Sequence, residues 1–153
     1  MLIWLWRYAG SPTEDSYAEP KSVFRDLNEA ESGAEILKAA AWAYAEGICI
    51  GLEQEDGLYL MPNICVGRAD MAIMLWRLAG RPKAGGKMKY EDVGELGYPK
   101  GSDLYQAVLW ITKEGIAKGY SRENGESEFG LTRKCMKEHV ITYLYRVHEI
   151  IEG

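Results

Sequence analysis

The sequence predicts an all-α protein built from tandem helix–loop–helix repeats of about 70 residues. Residues 5–12 (LWRYAGSP) copy the second half of residues 65–82, so that Trp6 and Trp76 lie 70 positions apart. Tyr145 follows Trp76 after a further 69 positions, within a similar helical pattern. No segment shows the sustained alternation of apolar and polar residues that is typical of strands, so we expect no sheets.

Other landmarks recur at nearly the same period. The sequence Phe24-Arg-Asp-Leu27 is followed 66 positions later by Tyr90-Glu-Asp-Val93. Equivalent pairs 68 positions apart are Trp42 and Trp110, Gly47 and Gly115, Gly51 and Gly119, and Gly57 and Gly125. We therefore predict one domain over residues 1–153, with a partial repeat at residues 1–12 and full repeats at residues 13–82 and 83–153.

The helices follow from apolar residues spaced i, i+3, i+4 and i+7. Leu2, Leu5 and Trp6 predict a short first helix that ends at Gly10. Ser32-Gly-Ala-Glu35 has the form of a capping box and predicts the start of the Trp42 helix, which Gly47 would close. The later apolar stripes are Met71, Met74, Leu75 and Leu78; Leu104, Val108 and Ile111; and Val140, Tyr143, Leu144, Val147 and Ile151.

Composition restricts the function classes. The chain has 153 residues, 47% hydrophobic and 27% charged, which is typical of a globular domain. Its net charge of −5 argues against non-specific binding to nucleic acid, and no apolar run is long enough to span a membrane. Two full repeats provide a small shared core, so a homo-oligomer remains open.

We predict no enzyme, no cofactor and no metal site. No nucleophile elbow, phosphate loop or Ser/His/Asp order is present, and the two histidines lie apart from any cluster with ligand spacing. Glu123, Glu126 and Glu128 do not follow the spacing of a calcium loop, so we expect solvated acids there. The three cysteines lack metal-type spacing, and we expect small buried side chains; a disulfide stays open.

The order of these motifs resembles the S-layer homology repeats of bacterial surface proteins. The matching residues of the first full repeat are Phe24, Asp26, Trp42, Gly47, Gly51, Pro62, Arg68, Ala69, Asp70 and residues 75–77 (LWR). Those of the second are Tyr90, Asp92, Trp110, Gly115, Gly119, Tyr120, Phe129 and residues 144–146 (LYR). The resemblance covers nearly the whole chain.

The resemblance implies three such repeats around a pseudo-threefold axis, which bind an anionic cell-wall polysaccharide in grooves between repeats. In the family motif Thr-Arg-Ala-Glu, the arginine lies at a helix N-terminus, where both the guanidinium and the helix dipole favour an anion. In this chain Arg68 keeps the arginine of that motif, whereas Gly67 replaces its threonine and Asp70 replaces its glutamate. The resemblance places Asp26 and Asp92 at the borders of the grooves, although each could instead brace the turn ahead of its helix. Gly51, Gly119 and Tyr120 are further candidate ligand-binding residues, with Tyr120 either stacking on a sugar or covering a loop.

The second repeat departs from this motif. Leu60 to Arg68 spans 8 positions, and Phe129 to Lys137 also spans 8, so the spacing gives the arginine position to Lys137. Arg133 lies four residues earlier and would share a face with Lys137 if Thr132 capped a longer helix. We expect either cation to contact the glycan.

Two functions follow from these observations. The first is a non-catalytic cell-envelope-binding module that recognises an anionic cell-wall polysaccharide through cations at helix N-termini. The second is a protein-interaction or assembly module that keeps the repeats without the glycan sites, encoded by a phage or other mobile element, with a host or virion protein as its partner. Residues 1–7 (MLIWLWR) do not form a signal peptide, so we expect a cell-surface location only as part of an exported protein, and otherwise a cytoplasmic or virion-associated one.

Overall fold

The computed structural model of the chain describes residues 1–19 and 23–153. Its helices and strands are α1 (Leu2–Tyr8), α2 (Glu29–Ser32), α3 (Ala34–Ala45), β1 (Leu52–Gln54), β2 (Gly57–Tyr59), α4 (Arg68–Leu78), α5 (Glu91–Glu95), α6 (Asp103–Lys113), β3 (Tyr120–Ser121), β4 (Ser127–Glu128) and α7 (Lys137–Glu152). Within the described ranges, no helix combines the length and the apolar character that crossing a membrane requires.

The prediction of an all-α fold is wrong, because the structure contains two small antiparallel sheets. Strand β1 pairs with β2, with Leu52 opposite Tyr59, and β3 pairs with β4, with Tyr120 opposite Glu128. Both hairpins occupy the glycine loops that follow the tryptophan helices. Because these strands have only two or three residues, the sequence shows no alternating pattern for them. The fold is mixed α/β.

The chain forms two compact units, which we call the N-terminal unit (Met1–Ile64) and the C-terminal unit (Cys65–Gly153). This boundary differs from the predicted repeat boundary between residues 82 and 83. The reason lies in the helix pairs: α1 packs on α3 in the N-terminal unit, and α4 packs on α6 in the C-terminal unit. The second helix of each sequence repeat therefore packs on the first helix of the repeat that follows it.

Equivalent contacts recur within the two units. The indole N–H of Trp6 donates to the carbonyl of Pro12 over 2.9 Å, and that of Trp76 donates to the carbonyl of Pro82 over 2.9 Å. Arg7 pairs with Glu35 near the start of α3, and Arg77 pairs with Asp103 at the start of α6. Each helix pair is thus joined by the same arginine–carboxylate contact.

The tryptophan helices end in the same way. Gly47 has φ 63° and Gly115 has φ 68°, the left-handed conformation that favours glycine after a helix. Trp42 and Trp110 are both buried in their helices. The predicted capping box is wrong, because Ser32 belongs to α2 and α3 begins after Gly33 without a side-chain cap.

An aspartate holds the segment that follows each hairpin. The Asp26 carboxylate accepts the backbone N–H groups of Leu60 over 2.8 Å and Met61 over 2.7 Å. The Asp92 carboxylate accepts three, from Phe129 (2.7 Å), Gly130 (2.8 Å) and Leu131 (3.1 Å). Because these donors lie 34 to 39 residues away, each aspartate closes a long loop.

We predict that Asp92→Asn lowers the free energy of unfolding by about 2 kcal/mol, because an amide offers one accepting oxygen to a site with three donors. The matched control is Glu123→Gln, the same change at an exposed residue before β4. Urea denaturation measures the loss, and amide hydrogen exchange should locate it in the C-terminal unit. Equal stability of the two variants would contradict the role given to Asp92.

Candidate functional site

The start of α4 is paired with the segment that precedes α7. The backbone N–H of Arg68 donates to the carbonyl of Arg133 over 2.9 Å, and that of Cys135 donates to the carbonyl of Val66 over 2.9 Å. Gly67 forms an antiparallel bridge with Lys134 between these two bonds. Arg68 therefore lies beside the segment that connects the β3–β4 hairpin to α7.

The Arg68 side chain lies in the interior of this unit, with only 1% of its surface exposed. Its Nε donates to the carbonyl of Phe129 (3.0 Å), its Nη1 to the hydroxyl of Tyr143 (2.8 Å) and its Nη2 to the carbonyl of Lys118 (2.8 Å). The guanidinium carbon also lies 4.6 Å from the ring centroid of Phe129 and 5.0 Å from that of Tyr120. A ligand would have to displace these partners to reach it.

No carboxylate in the described ranges forms an ion pair with Arg68. Its charge is instead balanced by carbonyl and hydroxyl oxygens and by the negative faces of two aromatic rings. Such an environment makes Arg68 a structural residue that holds the hairpin, α4 and α7 together. The sequence pattern indicated only the start of a helix, a position that is usually exposed, and the partners lie 50 to 75 residues away.

A second arginine lies beside Tyr120, but on the surface. The Arg133 guanidinium carbon is 4.2 Å from the centroid of the Tyr120 ring, and 54% of the Arg133 side chain is exposed. We call Tyr120, Arg122, Glu128 and Arg133 the hairpin surface, because all four belong to the β3–β4 hairpin or to the turn after it. An exposed guanidinium against an aromatic ring is the feature of this unit best suited to an anionic, ring-shaped ligand.

Glu128 connects the two arginines of the hairpin surface. Its Oε2 accepts from Arg122 Nε over 3.0 Å, while its Oε1 accepts from Arg133 Nε (3.0 Å) and Nη2 (2.7 Å). The hydrogen bond from Arg122, followed by that from Arg133, lowers the pKa of Glu128 below its ordinary value. Glu128 is thus not the merely solvated acid that its loop position suggested, and it competes with any anion for Arg133.

The remaining predicted cation and acid lie at helix starts. Lys137 is the exposed first residue of α7, and Asp70 is exposed in the first turn of α4. The longer helix beginning at Thr132 is absent, because α7 begins after Met136 without a side-chain cap. Arg133 therefore belongs to the preceding turn and does not share a helix face with Lys137.

The predicted groove residues Asp26, Asp92, Gly51 and Gly119 support the hairpins. A Cβ at Gly51 would lie 2.6 Å from Cε1 of Phe24, and one at Gly119 would collide with the ring of Tyr90 and the carbonyl of Glu128. The N–H of Gly119 also donates to the Tyr90 hydroxyl over 2.9 Å. These glycines allow an aromatic ring to pack directly on the backbone at the base of each hairpin.

No disulfide joins the three cysteines, all of which lie within the described ranges. Cys65 is exposed, Cys49 is half-buried and only Cys135 is buried, so the expectation of three buried side chains is wrong. Burial raises the pKa of the Cys135 thiol, which keeps it protonated at neutral pH. No group of three or more histidine, cysteine or acidic side chains in the described part of the chain could hold a metal ion.

Comparison of the chain with protein-family models, with curated proteins and with solved structures gave no match. The resemblance to S-layer homology repeats therefore stays a prediction from the sequence motifs.

We predict a large loss of stability when Arg68 is replaced and a small one when Arg133 is replaced. Arg68→Ala should lower the free energy of unfolding by about 3 kcal/mol or more, because it leaves three acceptors without their donor, two of them in buried hydrogen bonds, and opens a cavity. Arg133→Ala, the matched control on the exposed side of the ring, should cost less than about 1 kcal/mol. Thermal or urea unfolding measures both; a mild effect of Arg68→Ala would contradict its structural role.

Proposed function

We propose that the chain is a non-catalytic cell-envelope-binding module that recognises an anionic cell-wall polysaccharide through the hairpin surface. The observation that carries this proposal is the exposed Arg133 guanidinium, held 4.2 Å from the centre of the Tyr120 ring. The Tyr120 ring has the Arg68 guanidinium on its inner side and the Arg133 guanidinium on its outer side, so Tyr120 holds Arg133 in place for the ligand. The Arg133 guanidinium suits a carboxylate or pyruvyl group on a sugar of that polysaccharide.

This proposal differs from the sequence-based one in the cation that meets the ligand. Arg68 is enclosed by Phe129, Tyr143 and Lys118, so we give the anion contact to Arg133. Lys137 adds an exposed positive charge where the helix dipole of α7 also favours an anion. Asp92 and Gly119 act indirectly in this proposal, because they fix the hairpin on which Tyr120 lies. Asp26 and Gly51 support the β1–β2 hairpin of the N-terminal unit and have no part in it.

Glu128 affects how strongly Arg133 can bind the carboxylate of the glycan. In the free protein its carboxylate occupies Arg133 Nε and Nη2, the two donors that a sugar carboxylate would use. Binding would therefore exchange one carboxylate for another, while Arg122 continues to neutralise Glu128. Because the guanidinium and the carboxylates that exchange on it are charged, and 54% of the Arg133 side chain is exposed, affinity should fall as ionic strength rises.

A second candidate is the protein-interaction or assembly module. The buried hydrogen bonds of Arg68 favour this second candidate. Arg68 is the residue that matches the arginine of the family's ligand motif, and here it stabilises the fold and is not available to a ligand. Such a module would use apolar surface in place of the hairpin surface, and exposed large hydrophobic residues are present on α7, among them Ile141 and Tyr145.

We predict that purified Gram-positive cell-wall sacculi retain the wild-type protein in a pull-down assay. Arg133→Ala and Tyr120→Ala should each reduce retention severalfold, because each removes one half of the stacked pair. Glu128→Gln should increase retention, because it removes the carboxylate that competes for Arg133. Opposite signs at neighbouring residues separate a specific site from a general loss of folding.

The matched control is Lys113→Ala, which removes one exposed positive charge from the end of α6. Sacculi stripped of their acid-labile anionic polysaccharide form the second control. No retention of the wild type, or equal retention of wild type and Arg133→Ala, would contradict the glycan proposal. Absent retention would leave the protein-interaction module as the better account.

A further inference from the structure

The helices α1 and α4 bury one particular face in the same way. Leu2 and Trp6 are the buried residues of this face on α1, and Ala72 and Trp76 occupy the equivalent positions on α4, 70 residues later. In each unit the helix that carries this face packs on a tryptophan helix, α1 on α3 and α4 on α6. The face is therefore buried in both units.

On α7 the equivalent face is uncovered. Ile141 and Tyr145 lie 69 positions after Ala72 and Trp76, and they are 50% and 62% exposed. The opposite side of α7 is buried through Val140, Tyr143, Leu144 and Val147. The helix is thus anchored in the C-terminal unit and presents an isoleucine and a tyrosine, one turn apart, to the outside.

Charged residues flank this apolar pair symmetrically. Lys137 lies four positions before Ile141, and Glu149 lies four positions after Tyr145; both are exposed. Residues at spacing i, i+4 form one continuous ridge on a helix, so the four side chains read positive, apolar, apolar, negative along the ridge. We call Lys137, Ile141, Tyr145 and Glu149 the α7 ridge.

We propose that the α7 ridge binds the same ridge of a second copy of the chain in an antiparallel, two-fold symmetric pair. The commonest helix–helix packing is the one in which the i±4 ridges of the two helices interdigitate. In the antiparallel pair Ile141 meets Tyr145 of the second copy, and Lys137 meets its Glu149. A two-fold axis then repeats both contacts, since such an interface uses the same patch on both subunits.

The α7 ridge of a second copy is a better partner for this surface than a tryptophan helix of another molecule. Helices α3 and α6 already pack on α1 and α4 within their own units, so we do not assign either of them as the partner of α7. The ridge itself is self-complementary in charge only when antiparallel, because a parallel pair would place lysine beside lysine and glutamate beside glutamate. One helix pair buries an area at the small end of specific interfaces, so the dimer should dissociate on dilution.

Sedimentation velocity over a wide range of protein concentration tests this proposal. We expect the wild type to pass from monomer to dimer, and Tyr145→Glu to stay monomeric. The matched control is Leu96→Glu, the same introduction of charge at a residue that is 61% exposed and lies off α7. Both substituted residues are at the surface, so circular dichroism should report unchanged helix content.

Charge reversal tests the register. Lys137→Glu and Glu149→Lys should each weaken association about tenfold, because the two-fold axis turns two attractive pairs into two repulsive ones. The double variant should restore the wild-type association constant. A monomeric wild type, a dimer that survives Tyr145→Glu, dissociation by Leu96→Glu, or failure of the double variant to restore association would each overturn the proposal.

Discussion

The C-terminal unit depends on the buried guanidinium of Arg68. Burying a cation costs several kcal/mol unless its charge and its N–H groups are satisfied. Here three hydrogen bonds and two aromatic faces satisfy it, and each hydrogen bond from a charged donor contributes roughly 1.5 to 3 kcal/mol. The partners come from the segment before β3, the residue after β4, and α7, so one side chain joins elements that are distant in the sequence.

This arrangement separates the two arginines that share Tyr120. Arg68 on the inside fixes the hairpin, and Arg133 on the outside is exposed and paired with Glu128, a half-buried carboxylate that a ligand carboxylate can replace. The sequence-based argument for glycan binding assumed all-helical repeats and a ligand-facing Arg68. Neither assumption agrees with the structure, so we base the proposed function on Arg133 and Tyr120, with Lys137 as an additional positive charge.

The sequence predicted the parts of the fold that depend on local spacing. The stripes at Met71–Leu78 and Leu104–Ile111 fall within α4 and α6, and Gly47 and Gly115 adopt the left-handed conformation expected after their helices. The hairpins were missed because strands of two or three residues are too short to show an alternating pattern of apolar and polar residues. The burial of Arg68 was missed because Phe129 and Tyr143, which enclose it, lie 61 and 75 residues away.

The most direct test of this account is a ¹⁵N NMR measurement of the Arg68 side chain in the full chain at neutral pH, with Arg68→Lys used to assign the signal. We expect a dispersed Nε–H resonance that exchanges slowly with water and does not shift when soluble cell-wall polysaccharide is added, whereas the Arg133 resonance should shift. A rapidly exchanging Arg68 signal, or one that moves with the polysaccharide, would contradict the account.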